Sequence, residues 1–486
     1  MNQGSSPAVH QSVNKWAVLT VVLVGVFMAM LDSSIINVAL PVMVRSLHTE
    51  FSAVQWVPLA YLLAVTCAMM LVGRLADTLG KRTLYTAGFL VFTAASLACG
   101  LSGTISGLIA ARVVQGLGAA LIMALGPAIL VETFPPTERG RALGITGSVV
   151  SLGIIVGPTL GGVLLERLDW GWIFFVNLPL GVAGAVMAHR LVSARRPDKH
   201  ERFDLAGAAL LTIGLVAVLL GLTIGQKPEV GPAAMWALVL GGVAVLGAFI
   251  ALELRVASPL VDLRMFKNTV FSTNLAASFF NFLPLAGMVI LMPFYLQTIL
   301  HHDPRTAGFL LASMPIVLGI TAPLAGSLSD KYGTHRVCIA GLFVFGVALL
   351  GLTTLSATTD ELGFVVRFVP IGLGLGLFQS PNNSAILGSA PRERMGVASG
   401  LLALTRTFGQ TSGIALLSVF WSLRVAAHAG GMPAGGATQA APGAQLAGLH
   451  DTLVLMVVLT GLSLALVSRA LWMGRRAAIA PATAKA

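Results

Sequence analysis

Fourteen apolar stretches of membrane-crossing or near membrane-crossing length, set apart by short polar segments, leave this chain few ways to fold. They lie at about 16–39, 53–72, 83–101, 105–127, 142–165, 173–192, 205–224, 233–254, 270–300, 307–328, 337–355, 362–387, 397–420 and 452–471. About 20 apolar residues in a helix cross the ~30 Å hydrocarbon layer. No water there can satisfy a backbone N–H or C=O, so each segment bonds its own backbone as a helix. Composition points the same way: 56% of residues are hydrophobic, 10% are charged, and the mean hydropathy is +0.88. A soluble core cannot absorb that share of apolar surface. The expected fold class is an all-α polytopic membrane protein with 14 transmembrane helices.

Orientation follows from where the 30 Lys and Arg fall. With the amino terminus inside, 22 of them lie in inside segments, five lie outside, and Arg112, Arg367 and Arg406 lie within spans. Excess cation marks the cytoplasmic side. Both termini are therefore expected in the cytoplasm and the chain in the cytoplasmic (inner or plasma) membrane, with the lipid bilayer as a partner. The same scatter over many short loops means that the net charge of +11 is no nucleic-acid footprint. Six of the seven Trp sit at span ends, as an interfacial aromatic belt requires. The polar start runs into a full-length span without a small-residue cleavage site, so no signal peptide is expected to be removed. Cys67, Cys99 and Cys338 lie in apolar runs without ligand spacing, which predicts neither disulfide nor metal.

The chain repeats itself. Gly73-Arg-Leu-Ala-Asp77-Thr-Leu-Gly80-Lys81-Arg82 returns as Gly326-Ser-Leu-Ser-Asp330-Lys-Tyr-Gly333-Thr-His-Arg336, 253 residues later. Arg112 and Arg367 are 255 apart, and Gly153/Gly157 precede Gly409/Gly413 by 256. The first landmark follows span 2 and the second follows span 10, so both copies keep one orientation. Parallel repeats of this kind build transporters whose halves rock about a site near the bilayer midplane. The expected organisation is a cytoplasmic terminus (1–15), a six-helix bundle (16–192), a linker with two extra spans (193–268), a second six-helix bundle (269–472) and a cytoplasmic tail (473–486).

Asp32 is the candidate at the centre of the function. A carboxylate in hydrocarbon costs at least a few kcal/mol unless it is neutralised, paired or wet, and proteins that keep one use it. About 16 residues past Trp16, it lies roughly 24 Å along the helix at 1.5 Å per residue. Burial favours its protonated form, and a wet cavity or nearby cation favours the ionised form. An acid that alternates between such surroundings carries one proton per cycle. The competing reading is a carboxylic acid hydrogen-bonded to another helix for packing. Arg112 stands seven residues into span 4 with a charge that does not titrate away. It needs carboxylate, carbonyl or water partners, or it snorkels to the interface.

The loop of Gly73, Arg74, Asp77, Gly80, Lys81 and Arg82 combines an acid, three cations and glycines that permit a tight turn. Asp77, and Asp330 in the second copy, can cap a helix in one conformation and lose that contact in another. The alternative is a basic turn that only fixes topology. Small residues at Gly153, Gly157 and Gly161, joined by Gly162, form a groove for a close helix, and Pro158 allows a bend. Gly409, Gly413, Arg406 and Gln410 place similar architecture in span 13. Candidate substrate contacts are Asn37, Phe280, Asn281, Tyr295, Gln379 and Gln410.

Together these motifs resemble one family. Leu31-Asp32-Ser-Ser-Ile-Ile-Asn37-Val-Ala-Leu-Pro41, the Gly73–Arg82 loop, Arg112-Val-Val-Gln115-Gly116-Leu-Gly118 and Gly153-Ile-Ile-Val-Gly157-Pro158-Thr-Leu-Gly161-Gly162 are similar to the motifs of the major facilitator superfamily, fourteen-span drug:proton antiporter group. The resemblance covers nearly the whole chain and occurs in order on the corresponding spans. It implies the major-facilitator fold, two six-helix bundles plus two inserted helices. For Arg112 it implies a role in proton relay, and for span 5 an antiporter's helix.

The expected function is therefore proton-coupled export of small amphipathic compounds, with substrate and protons as partners, no nucleic acid, and no cofactor beyond the proton gradient. Whether an accessory efflux protein joins it is left open. A symporter or uptake carrier is the alternative, and the Gly/Pro pattern of span 5 leans against it. No phosphate-binding loop or catalytic constellation is present in the sequence, which excludes an ATP-driven pump or an enzyme by motif. Few acids lie deep in spans, which argues against a dedicated dication pump.

Overall fold

The computed structural model describes residues 14–135, 138–193, 205–224, 232–256, 263–389, 395–431, 433 and 435–483. Among these residues every regular element is helical. The long helices are α1 (Lys15–Ser46), α2 (Trp56–Leu79), α3 (Lys81–Gly100), α4 (Ile105–Thr133), α5 (Arg139–Arg167), α6 (Asn177–Leu191), α7 (Leu205–Ile224), α8 (Pro232–Glu253), α9 (Thr269–Phe294), α10 (Pro304–Tyr332), α11 (Thr334–Leu352), α12 (Glu361–Gly388), α13 (Met395–Ala429) and α14 (Pro442–Thr483). Thirteen membrane-length apolar spans occur among the described residues, and α7 contributes a shorter apolar stretch, Ala206–Gly221. Each of the fourteen apolar runs of the sequence thus falls on helical structure, broken for one residue at Gln55 in the run 53–72 and at Val176 in the run 173–192.

Local chemistry sets the helix ends. Asn14, Thr104, Asn268, Asp303 and Asp360 each turn a side-chain oxygen onto a backbone N–H of the first turn that follows, satisfying donors that the helix itself cannot. Gly80 and Gly333 stand alone between α2 and α3 and between α10 and α11, with φ of 82° and 89°. That left-handed backbone favours glycine, and it folds each pair of helices back on a single residue. The repeat read in the sequence is thus a repeat of geometry.

Packing repeats as well. Helix α1 packs on α4, α5 and α6, and eight spans later α9 packs on α12, α13 and α14. Helices α7 and α8 pair with each other, and α7 also touches α2 and α13. The two groups α1–α6 and α9–α14 meet through α5 with α10, α2 with α13, and α1 with α9.

Those contacts are uneven along the molecule. At the face where α1 ends, one apolar core is shared by both groups, from Ile36, Met43 and Phe51 to Phe294, Leu310 and Trp421. Phe51 meets the rings of Phe294 and Trp421 edge-on, each at 4.9 Å, and Gln297 donates to the Val38 carbonyl at 2.8 Å across the junction. Toward the face where α1 begins, α1–α6 close around a core of their own. The cross-group apolar packing there is a smaller cluster in which Leu63 and Cys67 of α2 lie against α7, α9 and α13.

Candidate functional site

Asp32 lies in the middle of α1 with 1% of its surface exposed, and Arg112 of α4 is buried completely. Arg112 Nη1 donates to Asp32 Oδ2 at 2.6 Å. The other carboxylate oxygen, Oδ1, accepts from Gln115 Nε2 and from Asn177 Nδ2, both at 2.8 Å. Arg112 also donates from Nη1 to Gln115 Oε1 at 2.6 Å and from Nε to the Val57 carbonyl at 3.1 Å. Gln115 Nε2 reaches Ser96 Oγ at 2.8 Å. The guanidinium carbon lies 4.2 Å from the centre of the Tyr61 ring, an arrangement in which the ring face attracts the cation.

Residues of five helices, α1, α2, α3, α4 and α6, therefore meet in one network around this carboxylate. Three donors face it, from Arg112, Gln115 and Asn177. A protonated Asp32 would have a hydrogen to give and would have to displace one of these donors. Arg112 Nη2, the Tyr61 hydroxyl and Asn177 Oδ1 are buried without a hydrogen-bond partner among the described residues. Desolvating both charges is expensive, and their ion pair with the hydrogen bonds around it offsets part of that cost.

The sequence singled out Asp32 and Arg112 separately, and the structure pairs them. The snorkelling alternative for Arg112 is corrected, because its head is bound inside the bundle. Arg367, its repeat mate, instead donates to Thr354 Oγ1 at 2.8 Å and to the Gly363 carbonyl at 2.9 Å beside the start of α12. The sequence marks Gln115 only as part of a motif, although its spacing of three from Arg112 places both on one helix face. Asn177, Ser96 and Tyr61 were not singled out at all. An amide or hydroxyl is cheap enough in an apolar run that it announces no function, and only Asp32 makes these residues meaningful.

The glycines of α5 serve two partners. A Cβ on Gly153, Gly157 or Gly161 would lie within 2.8 Å of Met30, Ser34 or Ile35 of α1. A Cβ on Gly162 would lie 2.5 Å from the Pro304 carbonyl, and one on Gly308 of α10 would lie 2.2 Å from the Pro158 carbonyl. The single groove expected from the sequence is thus two faces. Gly153, Gly157 and Gly161 seat α1, while Pro158 and Gly162 form the junction with α10. Close backbone approach is what small residues supply in a membrane. Ser34 locks the first face by donating to the Gly153 carbonyl at 3.0 Å.

In the loop after α2, Gly80 makes the turn, Lys81 pairs with Glu132 at the end of α4, and Arg82 Nη2 lies 3.3 Å from His189 Nε2. Gly73 and the side chains of Arg74, Asp77 and Asp330 lie outside the described residues. Of the expected substrate contacts, Tyr295 is corrected. It is 2% exposed, stacks on Phe364 at 6.3 Å and donates to the Ser356 carbonyl at 2.8 Å, which makes it part of the packed closed face. Asn281 is fully buried, with neither amide atom partnered. Phe280, Gln379 and Gln410 are half-buried, and Asn37 donates back to the Ser33 and Ser34 carbonyls of its own helix.

Comparison with known proteins agrees with this architecture. The sequence model of the Major Facilitator Superfamily matches residues 22–414. The riboflavin transporter RibZ of Clostridioides difficile (strain 630) is 35% identical over 412 residues, 84% of this chain and 88% of that protein. The multidrug transporter protein MdtP of Bacillus subtilis (strain 168) is 30% identical over 84% of this chain and 75% of its own length. Among solved structures, a bacterial homologue of the human lysosomal transporter Spinster, inward-facing and unoccupied, superposes with a TM-score of 0.65 at 17% identity, over 96% of this chain and 98% of that one. The fold, the repeat and the family match lead to one conclusion: this chain is a membrane transporter that belongs to the Major Facilitator Superfamily.

Proposed function

We propose that this transporter exports small amphipathic compounds from the cytoplasm in exchange for protons that load and leave Asp32. The observation that supports the reading best is the buried Asp32–Arg112 pair with its two amide donors. A proton on Asp32 removes the ion pair and leaves Arg112 held only by the Val57 carbonyl and Gln115. Because the cage is built from α1, α2, α3, α4 and α6, a change at one atom acts on the packing of the whole first group. Net charge in a low-dielectric site cannot change without structural or solvent compensation. That is the physical basis for tying proton occupancy to the rocking of one group against the other.

The face where α1 begins is read as cytoplasmic from the cation bias of its loops. With the opposite face closed by Phe51, Gln297 and the α5–α10 junction, an opening between the two groups would face inward. The printed name of MdtP supports multidrug export. That of RibZ favours a second reading, a carrier for one planar metabolite with riboflavin as the named case.

The test is transport into everted vesicles under an imposed proton gradient, with a panel of amphipathic dyes and riboflavin as probes. Wild-type protein is expected to accumulate several dyes, and Asp32→Asn to lose gradient-driven accumulation by at least about tenfold while still binding them. Undiminished accumulation by the variant would refute the coupling role. Transport of riboflavin alone would select the second reading.

A further inference from the structure

We infer that Arg406 is the anion-recognition element of the substrate site, so that the compounds carried are planar aromatic molecules bearing a carboxylate, sulfonate or phosphate. The inference rests on the transporter reading above, but on neither the direction of transport nor its coupling to protons. Arg406 lies eleven residues into α13, about 16 Å along the helix at 1.5 Å per residue. It is thus six residues inside the apolar span Gly400–Ala429, roughly 9 Å past its start. Its guanidinium carbon stands 5.6 Å from the centre of the Phe282 ring on α9. It forms no hydrogen bond or ion pair among the described residues, and its nitrogens are not among the polar atoms sealed from solvent.

That environment differs from those of the other two arginines within spans. Arg112 is neutralised by Asp32, and Arg367 is satisfied beside a helix start. Arg406 has only the face of an aromatic ring, which leaves all five N–H donors unused. Inside a helical bundle an unpaired guanidinium is costly, and a fixed cation without a counter-charge attracts anions. Its planar fork holds a carboxylate or phosphate by two parallel hydrogen bonds.

The neighbours complete the specificity. Phe279 of α9 and Phe408 of α13 stack at 5.4 Å with 29° between their planes, and Phe280 meets Phe279 edge-on at 5.5 Å. Phe279, Phe280 and Phe408 are half-buried, so each keeps surface to offer. One turn beyond Arg406 stands the half-buried amide of Gln410. Gly409 and Gly413 bring α13 onto the backbone of α9, and this close approach holds the aromatics and the guanidinium at one level. A permanent cation, an amide and exposed ring faces make a site for a flat ring system with one anionic group.

The experiment measures equilibrium binding to the full chain in nanodiscs without any gradient, by fluorescence polarisation of fluorescein, an anionic xanthene, and rhodamine 6G, a cationic one. Wild-type protein is expected to prefer fluorescein. Arg406→Gln is expected to weaken fluorescein at least about tenfold, the scale of a lost charge-assisted hydrogen bond, while rhodamine changes less than about twofold. Arg406→Lys, which keeps the charge and loses the fork, should recover part of the loss. Equal fluorescein affinity in wild type and Arg406→Gln, no fluorescein binding by wild type, or a wild-type preference for rhodamine would each overturn the inference. The wild-type comparison of the two dyes decides even if Arg406→Gln does not fold. Loss of proton-driven transport in Asp32→Asn, measured separately, bears on the coupling and leaves this result standing.

Discussion

The two groups of six helices share a plan and differ in chemistry. Where α1 carries Asp32, the matching stretch of α9 runs Leu285-Ala286-Gly287, and where Arg112 is caged, Arg367 is bound beside the start of α12. The glycine contacts, in contrast, are preserved. Gly153 and Gly157 press on Met30 and Ser34 of α1, and Gly409 and Gly413 press on Phe282 and Leu283 of α9. The lone turn glycines Gly80 and Gly333 have nearly the same backbone angles. Duplication thus kept what the bilayer demands of any helical bundle, close packing and tight turns. Buried polar groups, which cost stability unless they are used, diverged. One group holds a balanced, buried ion pair, and the other a cation without a counter-charge among the described residues.

The largest effect is expected where that asymmetry is greatest. Arg112→Leu leaves Asp32 buried with only its amide donors, and breaking one side of a buried pair costs about 3–5 kcal/mol. Thermal unfolding in detergent should show it, and transport should be lost. The double variant Asp32→Asn/Arg112→Gln should be less destabilised than the sum of its parts, because no uncompensated charge remains. Arg367→Ala, the matching change in the second group, should cost about 1 kcal/mol or less for its two local hydrogen bonds. Similar losses at Arg112 and Arg367 would break the comparison.

The glycine pairs sharpen it. A Cβ at Gly157 would first meet Ser34 Oγ, at 1.8 Å, whereas at Gly413 it would meet only backbone of Leu283, from 2.4 Å. Both alanine variants should lose about 1–3 kcal/mol through overpacking, with Gly413→Ala the worse because a backbone cannot rotate aside. Ser34→Ala should recover part of the loss at Gly157 and none at Gly413. Unfolding temperatures of the three single variants and the two double variants check this.

How much of this the sequence discloses follows from the physics of each feature. The helices are legible because the bilayer allows the backbone no other structure, and the turns because Gly80 and Gly333 recur in register. Asp32 is legible because a charge in an apolar run is too costly to be idle. Its cage is not, since Arg112 and Asn177 arrive from 80 and 145 residues away, and nothing local to them records that meeting. The split between Gly161 and Gly162 is hidden for another reason. Adjacent residues on a helix point about 100° apart, so one glycine run serves two neighbours, and the sequence shows only that it is small.

The smallest contrast lies at the entry to the repeat mates α2 and α10. Asp303 caps α10, accepting the Thr306 N–H at 3.0 Å and the Thr306 hydroxyl at 2.7 Å, with Pro304 in the first turn. The segment leading into α2 has no such cap, for neither Glu50 nor Gln55 bonds a first-turn N–H. The hydrogen bond from the Thr306 backbone, followed by that from its hydroxyl, holds the Asp303 carboxyl below its ordinary value of 3.8. A depressed acid contributes its stability in full above the unfolded value and loses it as pH falls through the folded one. Asp303→Ala should therefore cost about 1 kcal/mol at neutral pH, and the gap to wild type should stay constant from about pH 8 to pH 5 and close below about pH 4. Glu50→Ala should move the unfolding temperature by less than half as much and without that pH dependence. If the two variants behave alike across that range, the cap at α10 contributes nothing that the uncapped entry to α2 lacks.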